Sequence, residues 1–214
     1  LTFDPELPTR MRGLHFTLPG QTFTGQSSLN LGGTEIRMTA MNCGLPGGTD
    51  GDAVVYLPQQ KVLFLGDLYV KGFVPQVDSR DVGRWISVLG EVGKWDVATY
   101  VPGHGDPGTK PDVANFRGFL EWLDAGVTAG VQQGKSFSDV EQRLLSSSAF
   151  NLLALDLAPR TIAAVYNQVV HARSAHVNAA RPPGPSHQHG ALPASIPPGS
   201  TRGFTGTNPS APHE

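Results

Sequence analysis

The sequence has little of three features that would place it in a specialised class of protein. Its 214 residues include one cysteine, Cys43, so an intramolecular disulfide framework and a cysteine-based zinc cluster are both excluded. Sixteen basic residues nearly balance eighteen acidic ones, which excludes a basic stripe for nucleic acid. No apolar run approaches the roughly 18 residues that a membrane helix requires. We therefore expect a soluble protein with neither a nucleic-acid nor a membrane partner, and the sequence indicates no particular compartment.

Glycine and proline are abundant, and they are concentrated at one end of the chain. Hydrophobic residues make up 39% of the sequence, which is enough for one core over residues 1–180. Residues 181–214 are instead dominated by Gly, Pro, Ser and Thr, and such a segment cannot bury enough apolar surface to offset its ordering entropy. We predict a disordered tail over 181–214, in which His187 and His189 form no site.

The hydrophobic pattern changes from strands to helices midway along residues 1–180. Strands are predicted over 14–18, 28–31, 34–41, 53–57, 62–65 and 97–101. The turn Pro58-Gln59-Gln60 predicts a hairpin between two strands that are apolar on both faces, as in a sheet covered on both sides. Helices are predicted after a cap at Ser79, from Pro111, behind a capping box at Ser138–Glu141, and from Pro159.

Two strand ends carry residues suited to chemistry. The apolar strand Val62–Leu65 ends in Gly66-Asp67, and open α/β sheets place their ligand crevices at the carboxyl edge of the strands. Asp67 therefore either binds a metal or performs acid–base chemistry, or it caps the following turn. The strand predicted over 97–101 is followed by Gly103-His104-Gly105, where two glycines without β-carbons allow the backbone to bring the imidazole close to another group. This favours His104 as a ligand or catalyst, with Asp106 either orienting it or starting the next turn.

The segment Thr49–Leu68, followed by Val101-Pro102-Gly103-His104-Gly105, closely resembles the carboxyl-terminal half of the metallo-β-lactamase-fold hydrolases over roughly residues 20–125. The resemblance implies an α/β fold, a portion of an αββα sandwich with a mixed sheet and flanking helices. It also implies that Asp67 bridges two zinc ions and that His104 ligates one of them. In such enzymes metal-bound hydroxide attacks a small-molecule ester, thioester, lactone or lactam.

The chain departs from the family pattern at its metal ligands. The amino-terminal His-x-His-x-Asp-His signature is absent, and Gly48 stands where the family has a histidine. A catalytic zinc ion usually keeps three protein ligands, and Asp67 with His104 makes two. We therefore expect a truncated or degenerate zinc hydrolase domain with weak or absent zinc. Such a domain would self-associate, recruit a missing amino-terminal half or fold poorly.

Two other functions are consistent with the same residues. A non-catalytic binding or scaffold module would have kept the fold and lost its metals, and Gly48 favours that alternative. A nucleophilic triad built on Asp67 and His104 is disfavoured, because no Gly-x-Ser-x-Gly elbow is present and Cys43 does not open a helix. The sequence identifies no particular substrate.

Overall fold

The computed structural model describes residues 11–15, 17–44, 52–77, 80–150 and 157–179. Its five strands are β1 (Gln26–Leu31), β2 (Thr34–Met41), β3 (Asp52–Leu57), β4 (Val62–Val70) and β5 (Thr99–His104). Its helices are α1 (Val82–Val92), α2 (Lys110–Gln132), α3 (Phe137–Leu145), a 3₁₀ turn at Ser148–Phe150, and α4 (Ala158–Ala179). None of the described helices is both long and apolar enough to cross a membrane.

The strands form one mixed sheet in the order β1-β2-β3-β4-β5. The first four strands are antiparallel neighbours, and β5 runs parallel to β4 after the crossover through α1. The predicted hairpin is confirmed: a turn at Pro58 joins β3 to β4, and Lys61 closes it with a left-handed φ of 53°. The parallel pairing brings the carboxyl ends of β4 and β5 to the same edge of the sheet.

One face of the sheet carries the core. Leu63 of β4 pairs with Tyr100 of β5, and both side chains are fully buried, as is Trp85 of α1. On this side α2 packs against α1, α4 and the ends of β4 and β5. Each large apolar side chain buried in this way contributes about 1.5–3 kcal/mol relative to exposure.

The opposite face of the sheet is apolar and is left open by the described residues. Met38, Val55, Phe64 and Val101 are register partners across four strands, so they lie in one row on this face. Phe64 is 40% exposed, and Leu31 at the β1 end of the face is 69% exposed. The expectation of cover on both faces is therefore met on one face only within the described part of the chain.

Several predicted boundaries were wrong. Residues 14, 15, 17 and 18 form no strand, and the strand predicted at 97–101 begins at Thr99 and runs to His104. Asp81, not Ser79, caps α1, because its carboxylate accepts a hydrogen bond from the Arg84 amide at 2.8 Å. The capping box of α3 is formed by Ser136 and Asp139, not by Ser138 and Glu141.

Some predictions lie outside the described residues. These include the disordered tail at 181–214 with His187 and His189, and the segment that holds Gly48. The division into a domain and a tail therefore stays a prediction.

Candidate functional site at the ends of β4 and β5

Asp67 and His104 lie at the same edge of the sheet, as the sequence predicted. His104 is the last residue of β5 and pairs in register with Val70 of β4. Around Asp67 the register of β4 shifts, and Gly66 has a φ of +52°. This irregularity bends β4 just before Asp67, because a left-handed residue interrupts the regular pleat.

The two side chains meet in solvent. The imidazole Nε2 of His104 lies 3.4 Å from the carboxylate Oδ1 of Asp67, and the side chains are 67% and 56% exposed, respectively. Within the described residues the Asp67 carboxylate accepts no backbone hydrogen bond, so the alternative that it caps the following turn finds no support there. Both groups can reach a ligand without any rearrangement of the core.

The glycines on either side of His104 leave room for its turn to pack closely against Asp67 and Lys71. A β-carbon at Gly103 would lie 2.0 Å from the Asp67 Oδ1 atom. A β-carbon at Gly105, whose φ is +93°, would lie 2.2 Å from the Lys71 carbonyl oxygen. The Lys71 amide also donates to the His104 carbonyl at 3.0 Å. The Gly-His-Gly pattern is thus explained by close packing of the turn against β4 and the residues that follow it.

The orienting role predicted for Asp106 is not observed. Asp106 is exposed and makes no hydrogen bond or ion pair with any described residue. The imidazole of His104 instead contacts the ring of Phe73 edge to face, with centroids 6.3 Å apart. Phe73 was missed at the sequence level, since an exposed aromatic in a loop has no distinguishing pattern.

A cleft of about 420 Å³ opens beside the pair. Its lining includes Asp67, His104, Phe73, Gln76 and Arg80. Apolar side chains complete the wall: Val70, Val74, Pro75 and Leu157. Gln76 belongs to the loop that follows Asp67.

Arg80 is a site residue that sequence reasoning did not find. Its side chain is 15% exposed, and its Nη2 donates to Asp52 Oδ1 at 2.9 Å. This partner, Asp52, is the first residue of β3. Lys71, the other basic residue of the loop, instead pairs with Asp112 at 3.3 Å.

A larger cleft of about 730 Å³ lies elsewhere, between β1, β2 and the turn after α1. Residues such as Arg37, Tyr56 and Asp96 line it. Among the described residues this cleft contains no histidine, so its size does not outweigh the paired carboxylate and imidazole at the β4–β5 edge.

The described residues do not complete a zinc site. They contain no cluster of three or more His, Cys, Asp and Glu side chains able to hold a metal ion. Asp67 and His104 are suitable ligand types, but a catalytic zinc ion needs about three protein ligands and an open position. Further ligands would have to come from outside the described part of the chain.

Cys43 takes no part in this chemistry. Its thiol is fully buried, and burial, with Asp52 nearby, raises the pKa of Cys43 to about 12. Since the thiolate is the reactive form, the geometry agrees with the expectation that Cys43 is not a nucleophile.

Solved structures of similar fold identify the architecture. A metallo-β-lactamase family protein from Thermus thermophilus is similar with a TM-score of 0.54 and 17% identity, over 80% of this chain and 56% of that protein. A stereoselective inverting sec-alkylsulfatase from Pseudomonas sp. is similar with a TM-score of 0.53 and 16% identity, over 69% of this chain and 26% of that protein. The chain has a metallo-β-lactamase-like fold.

The predicted α/β class and the suspected metallo-β-lactamase relationship are thereby confirmed at the level of the fold. No established sequence family and no curated protein sequence matches the chain. The metallo-β-lactamase-like chain spans about half of the Thermus protein and about a quarter of the Pseudomonas protein. At these identities the comparison supports the fold, and the function has to be argued from the site.

Proposed function

We propose that this chain forms part of a metal-dependent hydrolase, in which Asp67 and His104 are two of the ligands of a zinc site. The observation that carries the proposal is the 3.4 Å approach of His104 Nε2 to Asp67 Oδ1. His104 is the last residue of β5, and Asp67 lies in the carboxyl-terminal half of the parallel neighbour β4, which runs on to Val70. The carboxyl edge of the strands is where α/β sheets bind their ligands. A carboxylate and an imidazole are also among the ligand types that zinc takes in proteins.

The surroundings of the pair support a binding site over a chance surface contact. Gly103 and Gly105 leave no room for a β-carbon, so the turn is built to hold the imidazole against β4. The adjoining cleft of about 420 Å³ combines an apolar wall with the polar side chains of Asp67, Gln76, Arg80 and His104, and small-molecule sites likewise combine apolar surface with placed polar groups. Small-molecule esters, thioesters, lactones and lactams are the substrate classes that we propose.

Zinc binding to the full chain tests the proposal directly. Equilibrium dialysis should show weak binding, with less than one zinc ion retained per chain at micromolar metal, because two ligands hold zinc poorly. Zinc should shift the imidazole NMR signals of His104, and the variants His104→Gln and Asp67→Asn should each abolish the effect. His15→Gln, which changes an exposed histidine outside the sheet, is the matched control.

One result would contradict this proposal: if zinc left the His104 signals unmoved, the pair would not be a metal site. If the chain instead retained about two zinc ions after dialysis, the expectation of weak binding would be wrong, and residues outside the described part of the chain would supply further ligands.

A second candidate is a non-catalytic binding module. Two observations favour it: the described residues hold only two ligands at this edge, and the sequence has Gly48 where the resembled family has histidine. Zinc-saturated chain assayed against an ester, a thioester, a lactone and a lactam separates the candidates. Zinc-dependent turnover that disappears in Asp67→Asn supports the hydrolase, and no turnover of any of the four substrates supports the module.

A further inference from the structure

We propose that the cleft beside Asp67 and His104 binds a ligand that carries an oxyanion group, and that Arg80 holds this group. The inference rests on the proposed function in one respect, namely that this cleft is the substrate site. Carboxylate, sulfate and phosphate groups share the planar or forked oxygen pattern that a guanidinium recognises.

The backbone of Arg80 is held in place by three separate segments. Its amide donates to the Val77 carbonyl at 2.7 Å, and its carbonyl accepts from the Gln168 side chain of α4 at 2.6 Å. It also forms an isolated β-bridge with Gly44. These contacts fix the position of the Arg80 backbone, from which the side chain extends.

The Arg80 side chain is largely buried, and some of its N–H donors have no hydrogen-bond partner among the described residues. The guanidinium stacks over the ring of Trp85, with its central carbon 5.1 Å from the ring centroid. One nitrogen, Nη2, donates to Asp52, whereas the buried Nε has no hydrogen-bond partner among the described residues. A guanidinium offers five N–H donors in a fixed fork, and leaving a buried donor unpaired costs stability. The Nε atom is enclosed, so an oxyanion in the cleft would be bound by the terminal guanidinium N–H donors that Asp52 leaves unused.

Within the described lining of the cleft, no lysine or second arginine competes with Arg80 for an oxyanion. Arg80 is the one arginine or lysine among the described lining residues, and Lys71 is engaged by Asp112. Phe73, Val74 and Leu157 are among the apolar residues that line the same cleft. The ligand that fits is an apolar body with an oxyanion at one end, placed so that Asp67 and His104 reach the rest of it.

Hexanoate and hexanamide are matched probes for this site, because they have the same shape and differ in charge. The full 214-residue chain is titrated with each probe in the presence of a metal chelator. The Arg80 Nε–Hε and Trp85 indole N–H signals are followed by NMR. We expect hexanoate to shift both signals and to bind at least tenfold more tightly than hexanamide. Phosphate, sulfate and acetate titrations then rank the oxyanion types.

Variants distinguish an oxyanion-binding arginine from a purely structural one. Asp52→Asn removes the carboxylate that competes for the guanidinium, so hexanoate should bind several-fold more tightly. The double variant Arg80→Gln/Asp52→Asn keeps polar side chains of similar shape and should lose the tenfold preference for hexanoate. Glu35→Gln is the matched control, since it breaks the exposed Arg37–Glu35 pair and should leave both affinities unchanged.

Equal affinities for hexanoate and hexanamide in the unmodified chain would overturn the proposal whether or not any variant folds. A preference that survives in the double variant would also overturn it. The proposed function can fail while this inference holds. In that case zinc would not shift the His104 NMR signals, but hexanoate would still bind in the presence of chelator.

Discussion

A β-carbon placed on Gly103 would lie 2.0 Å from Oδ1 of Asp67 and 2.9 Å from the Asp67 amide nitrogen. The strand that carries His104 and the strand that carries Asp67 are therefore packed too closely for any side chain between them. Glycine at position 103 is therefore required for Asp67 to lie where it does.

Substituting Gly103→Ala should displace the Asp67 carboxylate and lower the free energy of unfolding by about 1–3 kcal/mol, the usual cost of overpacking. Urea denaturation measures the loss. Gly118→Ala is the control, because no atom lies within 4 Å of a β-carbon there and the position is inside helix α2. There alanine should raise stability by up to about 1 kcal/mol. Equal effects at the two positions would show that Gly103 is not sterically required.

The amino-terminal cap of α3 provides a second test. Ser136 accepts a hydrogen bond from the Asp139 amide at 3.2 Å, and the Asp139 carboxylate accepts from the Ser136 amide. Ser136→Ala should therefore cost about 1 kcal/mol of stability. Ser138→Ala should cost well under that amount, because Ser138 is exposed inside the helix. A larger loss at Ser138 would restore the boundary that the sequence predicted.

Because Cys43 is buried, the free energy of unfolding should fall as the pH rises through the alkaline range. The thiol pKa is raised from 9.0 to about 12 in the folded chain, so the unfolded chain releases its proton first. The stabilisation is complete below pH 9 and is lost as the pH rises towards 12, at up to about 1.4 kcal/mol per pH unit. Burial also raises the pKa of Tyr69 to about 12, which acts in the same direction.

The slope of unfolding free energy against pH, measured between about pH 8 and pH 11, should become shallower in Cys43→Ala. Any packing loss in this variant shifts the whole curve and does not change the slope. Parallel curves for the variant and the unmodified chain would mean that the thiol ionises equally well in the folded state.

The open face of the sheet should bind a hydrophobic dye, because contiguous apolar surface in water is a binding surface for apolar molecules. Leu31→Ser, at a position 69% exposed on this face, should reduce dye fluorescence and change stability by no more than about 0.5 kcal/mol. Leu18→Ser is the control, because Leu18 is 83% exposed and lies outside the sheet. Sedimentation of both variants shows whether self-association uses the same face. Unchanged dye binding in Leu31→Ser would mean that this face is covered.

Parts of the candidate site could be read from the sequence because they follow from local rules. An apolar strand that ends in Gly-Asp and another that ends in Gly-His-Gly both point to a sheet edge, whatever lies between them. Arg80 and Phe73 could not be found in this way. Their importance comes from contacts with Asp52, Trp85 and His104, which are distant in sequence or have no periodic relation to them.

The boundary errors have the same origin. Ser136 and Ser138 each stand three residues before an acidic residue, so local pattern matching does not separate them. The burial of Val140 and Leu144 against the core sets where α3 begins. The alternating residues at 14–18 resemble a strand, yet Leu14 and Leu18 are 59% and 83% exposed and pair with no described strand. A strand is stable only when a neighbour supplies its hydrogen bonds.

What the sequence determined by itself was the order of β1 to β5 and of the helices that follow them, the hairpin at Pro58, and the placing of Asp67 and His104 on two strands at one edge of the sheet. Periodicity, turn chemistry and glycine placement act over a few residues and are legible without coordinates. Only the tertiary structure decided that Asp67 and His104 approach to 3.4 Å, that Arg80 joins them in one cleft, and that one sheet face stays open within the described part of the chain. Those features depend on the parallel register of β4 and β5 and on which face the helices cover, and both are set by long-range packing.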